Sequence, residues 1–186
     1  GVKLMAEVIK VIGKNAFVQV FESTRGMRVG DEAEFEGHML EVTLGPGMLS
    51  RNYDGLQNDL DKMEGVFLRR GEYTFPLDND KLWDFKPLAK VGDKVTAGGW
   101  LGEVDENFQP HKIMVPFTFK GEYTVKSLKE AGQYTIGEVI AVLTDETGKD
   151  VEVTMIQRWP VKRAITCYKK TTSYKLLETG VRTIDR

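Results

Sequence analysis

Short strand-like segments separated by glycine turns run through most of this 186-residue chain. The 19 glycines exceed the usual share of about 7%, and they show no repeat. Turn signals recur every ~8–12 residues between β-branched and aromatic runs, a spacing typical of a compact β-sandwich or barrel. The sequence therefore predicts a mainly β fold with few short helices.

Two hairpins are predicted near the start of the chain. Residues 4–11 and 15–21 carry β-branched and aromatic side chains on either side of a glycine turn. In the second hairpin, Gly37-His38 would join Glu34-Phe35 to residues 40–44. Several short strands in succession are typical of a small β-barrel, part of which this region is expected to form.

The segment Gly45-Pro46-Gly47 ends this first region, because proline fixes φ and glycine permits positive φ. Apolar side chains then recur at i, i+4 and i+7 from Leu56, the spacing of one helix face. This predicts a short helix over residues 53–60, with Asp54 or Gly55 as its N-cap.

The β pattern returns at Gly65. Residues 90–104 read as a strand, a glycine turn and a second strand. Further strands are expected at residues 111–116 and 121–126, and residues 133–143 are expected to pair with residues 151–155. The predicted divisions are residues 1–44 (part of a β-barrel), 45–64 (a connecting loop with a short helix), 65–161 (a β domain) and 162–186 (a polar, basic arm).

Composition excludes several classes of protein. A net charge of -2 gives no electrostatic case for binding nucleic acid or an anionic membrane. Cys167 is the single cysteine, so no internal disulfide forms, and His38 and His111 lie too far apart in sequence to suggest a zinc site. No apolar run approaches the ~20 residues of a membrane span. We therefore expect a cytoplasmic protein, and both chain ends have the character of a piece cut from a longer one.

Catalytic motifs are missing from the sequence. Neither Gly-Lys pair is followed by Ser or Thr, as a phosphate-binding loop requires, and no Gly-x-Ser-x-Gly occurs. Cys167 beside Lys169-Lys170 would be a reactive thiol, but an incidental surface cysteine is the preferred interpretation. Carboxylate pairs adjoin turn-forming residues, which favours backbone capping over catalysis. These pairs are Asp59 with Asp61, Asp78 with Asp80, Asp105 with Glu106, and Asp145 with Glu146. No catalytic, cofactor-binding or metal-binding residue is predicted.

One alternative function is a biotinyl or lipoyl carrier domain modified on Lys112. Val91-Gly92-Asp93-Lys94-Val95 and the later His111-Lys112-Ile113-Met114 resemble such a domain, which is a barrel-sandwich hybrid. Lys112 lacks the flanking methionines that biotin attachment favours, and nearby prolines replace a tight turn at the lysine. The resemblance is interpreted as one of fold, so replacing Lys112 by Ala should leave folding nearly unchanged.

Six ordered motifs resemble one family, the catalytic A subunit of V-type and archaeal-type rotary ATPases. They are Leu44-Gly45-Pro46-Gly47 with Tyr53-Asp54-Gly55-Leu56-Gln57, Trp83-Asp84-Phe85-Lys86-Pro87, Val91-Gly92-Asp93-Lys94-Val95, His111-Lys112-Ile113-Met114-Val115-Pro116, Gln157-Arg158-Trp159-Pro160-Val161 and Thr179-Gly180-Val181-Arg182-Thr183-Ile184-Asp185. The sequence departs from the family at Asn58-Asp59-Leu60, where Arg-Pro-Leu is usual.

The resemblance implies a fragment of an enzyme that couples ATP hydrolysis or synthesis to proton or sodium transport. Residues 1–44 would belong to the N-terminal barrel, and residues 65–161 to the bulge, or non-homologous region. ATP and Mg would bind in the parent beyond this sequence, so the fragment alone should be inactive. Implied partners are the non-catalytic B subunit and the stalk subunits of the soluble head, which is peripheral to the membrane. A free-standing β-rich binding module is a third possibility.

Three groups of residues each allow a structural and a functional interpretation. Trp83, Trp100 and Trp159 are expected in the core or partly buried rather than in an exposed contact surface. Lys162-Arg163 with Lys169-Lys170 is expected to be a solvated arm. The apolar set Phe67, Leu68, Phe75, Pro76 and Leu77 suits an interface and a core equally.

Overall fold

A computed structural model describes residues 2–65, 67–168, 171–174, 178–181 and 183, and twelve β-strands lie within them. The described part of the chain contains one helical turn, the 3-10 segment Leu60–Lys62. The mainly β prediction is confirmed. In chain order the strands are β1 (Ala6–Ile12), β2 (Asn15–Val20), β3 (Glu41–Leu44), β4 (Leu82–Pro87), β5 (Lys94–Val95), β6 (Trp100–Glu106), β7 (Gln109–Met114), β8 (Tyr123–Leu128), β9 (Gly132–Thr135), β10 (Ala141–Asp145), β11 (Asp150–Val153) and β12 (Gln157–Pro160).

The strands form four antiparallel sheets. Two of these have four strands each, in the orders β7-β6-β4-β9 and β11-β10-β8-β5. Two are simple pairs, β1 with β2 and β3 with β12. The strands of each four-stranded sheet come from separate parts of residues 82–153, so the two sheets are interleaved along the chain.

Two buried apolar clusters lie between residues 77 and 155. Alternation along β4 shows how they form, since Trp83 and Phe85 point inward while Leu82, Asp84 and Lys86 face solvent. Leu128 packs against both clusters. The first cluster contains Leu77, Trp83, Phe85, Val104, Ile113, Ile136, Ile140 and Met155. The second contains Leu101, Val115, Val125, Ala141, Leu143 and Val153.

The first cluster requires a glycine at position 102. A Cβ atom built there would lie 2.2 Å from the ring of Phe85 and 2.8 Å from the carbonyl oxygen of Lys86. Because those distances are far inside van der Waals contact, only glycine lets β6 approach β4 this closely.

The N-terminal hairpin, formed by β1 and β2, confirms the first predicted hairpin. It turns at Gly13, whose φ of +59° favours glycine. The pairing register shifts between Val8 and Lys10, which leaves Ile9 as a bulge. Both strands are exposed along almost their whole length.

The second predicted hairpin is wrong. Residues 34 and 35 lie in no strand, and β3 pairs instead with β12, where Val42 lies opposite Trp159. The other edge of β3 is closed by the side chain of Gln57, which accepts a hydrogen bond from the Thr43 amide at 2.7 Å and donates one to its carbonyl at 2.7 Å. Trp159, which lies opposite Val42 in this distant pairing, is buried.

The helix predicted over residues 53–60 is also wrong. Asp54 Oδ1 accepts hydrogen bonds from the amides of Leu56 and Asn58, which closes an Asx turn. Gln57 then adopts a φ of +63°, a left-handed conformation that a helix does not tolerate.

The helical turn that does form begins later than predicted. Asp59 is its N-cap, and the carboxylate accepts a hydrogen bond from the amide of Asp61. The apolar spacing from Leu56 therefore predicted the wrong local structure, because hydrogen bonds from backbone amides to the aspartate side chains override it.

The β strands of the second half match most predictions. The strand, glycine turn and strand over residues 90–104 are confirmed by β5 and β6. Residues 133–143 divide into two strands rather than one, since β9 pairs with β4 while β10 pairs with β11. The predicted pairing of residues 133–143 with residues 151–155 is thus confirmed for β10 alone.

Candidate functional site

Glu106 is the centre of a buried polar cluster at the end of β6, and its side chain is 2% exposed. Its Oε1 accepts hydrogen bonds from the amides of Gly47 (2.7 Å) and Leu49 (2.9 Å). Nδ1 of His111 donates to Oε2 at 2.7 Å. The carboxylate therefore satisfies two loop amides and orients the imidazole, which is a structural arrangement.

The hairpin tip next to Glu106 is held to the same loop. Asn107 Nδ2 donates a hydrogen bond to Ser50 Oγ at 2.9 Å. Asn107 and Phe108 both have positive φ, and the Phe108 side chain is 96% exposed. The pair Asp105 with Glu106 was predicted to cap a turn. Glu106 instead fixes a loop that lies 57 residues earlier in the chain.

Lys112 lies in the middle of β7, opposite Glu103 of β6, and forms an ion pair with it. The hydrogen bond from Lys112 lowers the pKa of Glu103. A carrier domain needs its lysine at a hairpin tip, whereas Asn107 and Phe108 occupy the tip here. The alternative of a carrier modified on Lys112 therefore loses its geometric basis, and the effect of replacing Lys112 by Ala stays a prediction.

His38 is a surface residue. Its ring lies 3.4 Å from a carboxylate oxygen of Glu36 and 3.9 Å from one of Glu41. It shares no contact with His111, whose partner is Glu106. The two histidines therefore belong to separate local structures.

Asp59 is the other buried carboxylate of interest. Its side chain is 1% exposed and faces Arg51 at 3.5 Å and Lys62 at 3.7 Å. Its backbone amide donates to Thr74 Oγ1. Burial raises the pKa of the neighbouring Tyr53, and the negative charge of Asp59 adds to that increase. Two cations and the amide of the capped turn satisfy this carboxylate. Asp59 therefore belongs to a structural ion-pair network.

The remaining carboxylate pairs cap turns, as predicted. Asp78 accepts from the amide of Asp80. Asp145 accepts from the hydroxyl and amide of Thr147 and from the amide of Lys149, and these hydrogen bonds lower its pKa. Neither arrangement pairs two carboxyl groups for acid–base chemistry.

Cys167 is half-buried, with its sulfur 3.6 Å from where a Cβ on Gly98 would lie. The neighbouring Lys169-Lys170 lies outside the described residues, so the preference for an incidental surface cysteine over a reactive thiol stays a prediction. Among the residues that the structure describes, no group of three or more His, Cys, Asp or Glu side chains could hold a metal ion.

Two of the three tryptophans are in the core, as predicted. Trp83 and Trp159 are buried, whereas Trp100 is 57% exposed beside Lys112, whose Nζ lies 5.0 Å from the ring centroid. The prediction was wrong for Trp100, because this first residue of β6 lies on the solvent side of the sheet. The apolar set at residues 67–77 divides in the same way, with Pro76 and Leu77 buried and Phe67 and Leu68 exposed.

The described part of the arm makes defined contacts rather than being purely solvated. Lys162 Nζ lies 2.6 Å from Glu7 Oε2 of β1. The guanidinium of Arg163 lies over the ring of Trp159, and its carbonyl accepts the indole N–H at 2.8 Å. This start of the arm therefore touches both the N-terminal hairpin and β12.

A group of exposed apolar side chains lies on the N-terminal hairpin. Large apolar side chains emerge from both of its faces, where soluble monomers usually expose only scattered ones. An isolated two-stranded hairpin is only marginally stable in water. The surface is thus a candidate for contact with other protein segments. Its exposed members are Val8, Ile9, Val11, Ile12, Phe17 and Val18.

A helix with the length and apolar character to cross a membrane is not found among the residues described. The two buried carboxylates, Glu106 and Asp59, are both engaged by amides or cations of the chain itself, and the apolar side chains of the N-terminal hairpin are exposed.

Two family models agree with this description. One, described as the ATP synthase alpha/beta subunit barrel-sandwich domain, matches residues 74–162. The other, the beta-barrel domain of the ATP synthase alpha/beta family, matches residues 1–37. The chain belongs to the ATP synthase alpha/beta family.

Within that family, the chain is similar to V-type ATP synthase alpha chains. It is 46% identical to the one from Treponema denticola and 42% identical to the one from Protochlamydia amoebophila, each over 98% of this chain. It is 47% identical to the Borreliella burgdorferi (strain B31) protein over 91% of this chain. The aligned regions are 32%, 31% and 30% of those relatives. The chain thus spans about a third of the length of the curated relatives it matches.

Proposed function

We propose that this chain is the non-catalytic assembly portion of a V-type ATP synthase alpha chain. The observation that carries the proposal is the identity of 42–47% to such chains over nearly all of this sequence. The parent enzyme would couple ATP hydrolysis or synthesis to the transport of protons or sodium ions. The chain on its own would have no ATPase activity.

The ATP and Mg sites of the parent would lie outside this sequence. Support comes from the absence of a phosphate-binding loop motif in the 186 residues. The buried carboxylates support the same assignment, because Asp59 and Glu106 are both engaged by amides or cations of the chain itself.

The N-terminal region, residues 1–44, would form part of a β-barrel that other segments or subunits complete. The exposed apolar faces of the N-terminal hairpin support this role. Residues 65–161 would form the bulge, joined by the connecting segment 45–64 and continued by the arm 162–186. The partners would be the non-catalytic B subunit and stalk subunits of the soluble head, on the cytoplasmic side of the membrane.

Calorimetric titration with ATP and Mg tests the proposal. The chain should bind no nucleotide, whereas the full-length alpha chain should bind it under the same conditions. Tight binding by the 186-residue chain would contradict the proposed division of labour, because it would place a nucleotide site within these residues.

A further inference from the structure

A shallow cleft lies beside the tip of the β6–β7 hairpin, where Asn107 and Phe108 form the turn. Its floor is the outer face of β6, because Asp105 points outward while Val104 and Glu106 are buried. The neighbouring strands β4 and β7 flank β6 and complete the floor. The residues that line this tip cleft are Lys86, Glu103, Val104, Asp105, Phe108 and Pro110.

The tip cleft holds one carboxylate that is not paired within the described part of the chain. Glu103 lies opposite Lys86 on β4 and Lys112 on β7, and Lys112 forms an ion pair with it. Asp105 lies opposite Pro110 instead, and its side chain makes no hydrogen bond or ion pair with any residue that the structure describes. Asp105 therefore presents an unpaired negative charge on the floor of the cleft.

Phe108 lines the tip cleft beside this charge with a side chain that is 96% exposed. Its φ of +65° is unfavourable for a bulky residue, and Asn107 before it has a φ of +51°. The turn is fixed by the hydrogen bond from Asn107 to Ser50 and by those that Glu106 accepts from amides of the same loop. A strained and braced turn that carries an uncovered aromatic ring indicates a surface that contacts another molecule.

An arginine side chain fits both features of the tip cleft. A guanidinium stacks on an aromatic face, and its planar fork of N–H donors matches a carboxylate. The compact ammonium of lysine lacks this planar fork. An apolar side chain would leave the charge of Asp105 unpaired in the contact, and an acidic one would be repelled by it.

We propose that the tip cleft is a docking site for an arginine side chain of a partner protein, with Phe108 stacking on the guanidinium and Asp105 accepting its hydrogen bonds. The hydrogen bonds that fix the turn hold both groups in place before the partner arrives, so little conformational entropy is lost on binding. The site consists of this chain's own side chains and is independent of the nucleotide binding assigned to the parent enzyme.

Titration of the whole chain with short peptides, followed by NMR of the backbone amides, tests the site. The probe is the capped tripeptide Gly-Arg-Gly, which should cause saturable shifts at the amides of Asp105 and Phe108. The same peptide with citrulline in place of arginine has nearly the same shape without the charge, and it should cause no saturable shift. The capped tripeptide Gly-Lys-Gly should bind more weakly than the arginine peptide, because an ammonium cannot stack and fork at once.

Variants of the chain then locate the binding. Asp105→Asn should weaken it about two- to fivefold, as for an exposed ion pair. Phe108→Leu keeps the apolar bulk but loses the ring, and should weaken it by about the same factor. Glu146→Gln is the matched control, because it removes one negative charge from the β10–β11 turn of the other four-stranded sheet and should leave the affinity unchanged.

The amide spectra also show directly whether each variant is folded. The proposal would be overturned by the absence of a saturable shift with the arginine peptide, or by equal binding of the lysine or citrulline peptide. It would also be overturned by an unchanged affinity in either cleft variant, or by a loss in Glu146→Gln as large as that in Asp105→Asn.

Discussion

The N-terminal hairpin and the barrel-sandwich region are built from the same antiparallel pairing and glycine turns, yet they differ in what covers them. In the hairpin, both faces of β1 and β2 meet solvent. In the barrel-sandwich region, one side of β4 is covered by Ile113, Ile136 and other members of its cluster. Strand formation and strand burial are therefore separate properties, and both buried apolar clusters lie in the barrel-sandwich region.

The largest expected effect is the loss of stability when an aromatic ring is removed from the core of the barrel-sandwich region. Removing one from the hairpin should have little effect. Phe85→Ala would leave a cavity in the first core cluster and should cost about 3–5 kcal/mol of unfolding free energy. Phe17→Ala, in the exposed hairpin, should change it by less than about 0.5 kcal/mol. Urea denaturation followed by tryptophan fluorescence measures both. Equal losses would show that the hairpin shares the core's stability.

Overpacking the same core should have the next largest effect. Gly102→Ala places a methyl group against Phe85 and the Lys86 carbonyl, and should cost about 1–3 kcal/mol. Gly137→Ala is the control, because nothing lies within 4 Å of a Cβ at that position. Thermal and urea denaturation compare the two variants. A Gly102→Ala variant as stable as its control would contradict the close approach of β6 and β4.

Loss of the buried carboxylate tests how the barrel-sandwich region holds its neighbouring loop. Glu106→Gln replaces an acceptor of three hydrogen bonds by an amide that also donates, and should cost about 1–3 kcal/mol. Hydrogen exchange at the Gly47 and Leu49 amides should accelerate. Glu103→Gln removes one partner of a partly exposed ion pair with Lys112 and should leave both amides protected. Unchanged exchange of these two amides in Glu106→Gln would contradict the assignment of Glu106 as the group that holds the loop.

The sequence was sufficient for the features that depend on neighbouring residues. Gly13 correctly indicated the first hairpin. The turn that begins at Asp145 correctly indicated the pairing of β10 with β11. The sequence was insufficient where residues far apart in the chain determine the pairing of a strand or the burial of a side chain. β3 pairs with residues more than a hundred positions away, and Gln57 closes its other edge. The buried role of Glu106 likewise depends on amides from a remote loop, which no local pattern reports.

The smallest expected effect concerns two aspartates of the β10–β11 hairpin, the half-buried Asp145 and the exposed Asp150. A hydrogen bond from Lys126 lowers the pKa of Asp150, and one from the Thr147 hydroxyl lowers that of Asp145. A depressed pKa in the folded state stabilises the fold above the unfolded pKa, about 3.9. This small contribution should therefore disappear as the pH falls below 4 through the folded values.

Carboxyl-detected NMR titration checks these pKa values. Thr147→Val should raise the Asp145 pKa toward its ordinary value of 3.8, while the Asp150 pKa stays depressed. Identical Asp145 titrations in the two proteins would mean that the Thr147 hydroxyl does not bond the carboxylate in solution.

Hydrogen exchange of the whole chain, followed by mass spectrometry, tests the contrast between the two regions most directly. Peptides from residues 82–160 should be strongly protected, because their amides exchange only when the packed core opens. Peptides from residues 6–20 should exchange orders of magnitude faster, since an uncovered hairpin opens locally. Protection of the hairpin equal to that of β4, β6 and β10 would contradict the account, because the N-terminal region would then be stabilised by the same cooperative core.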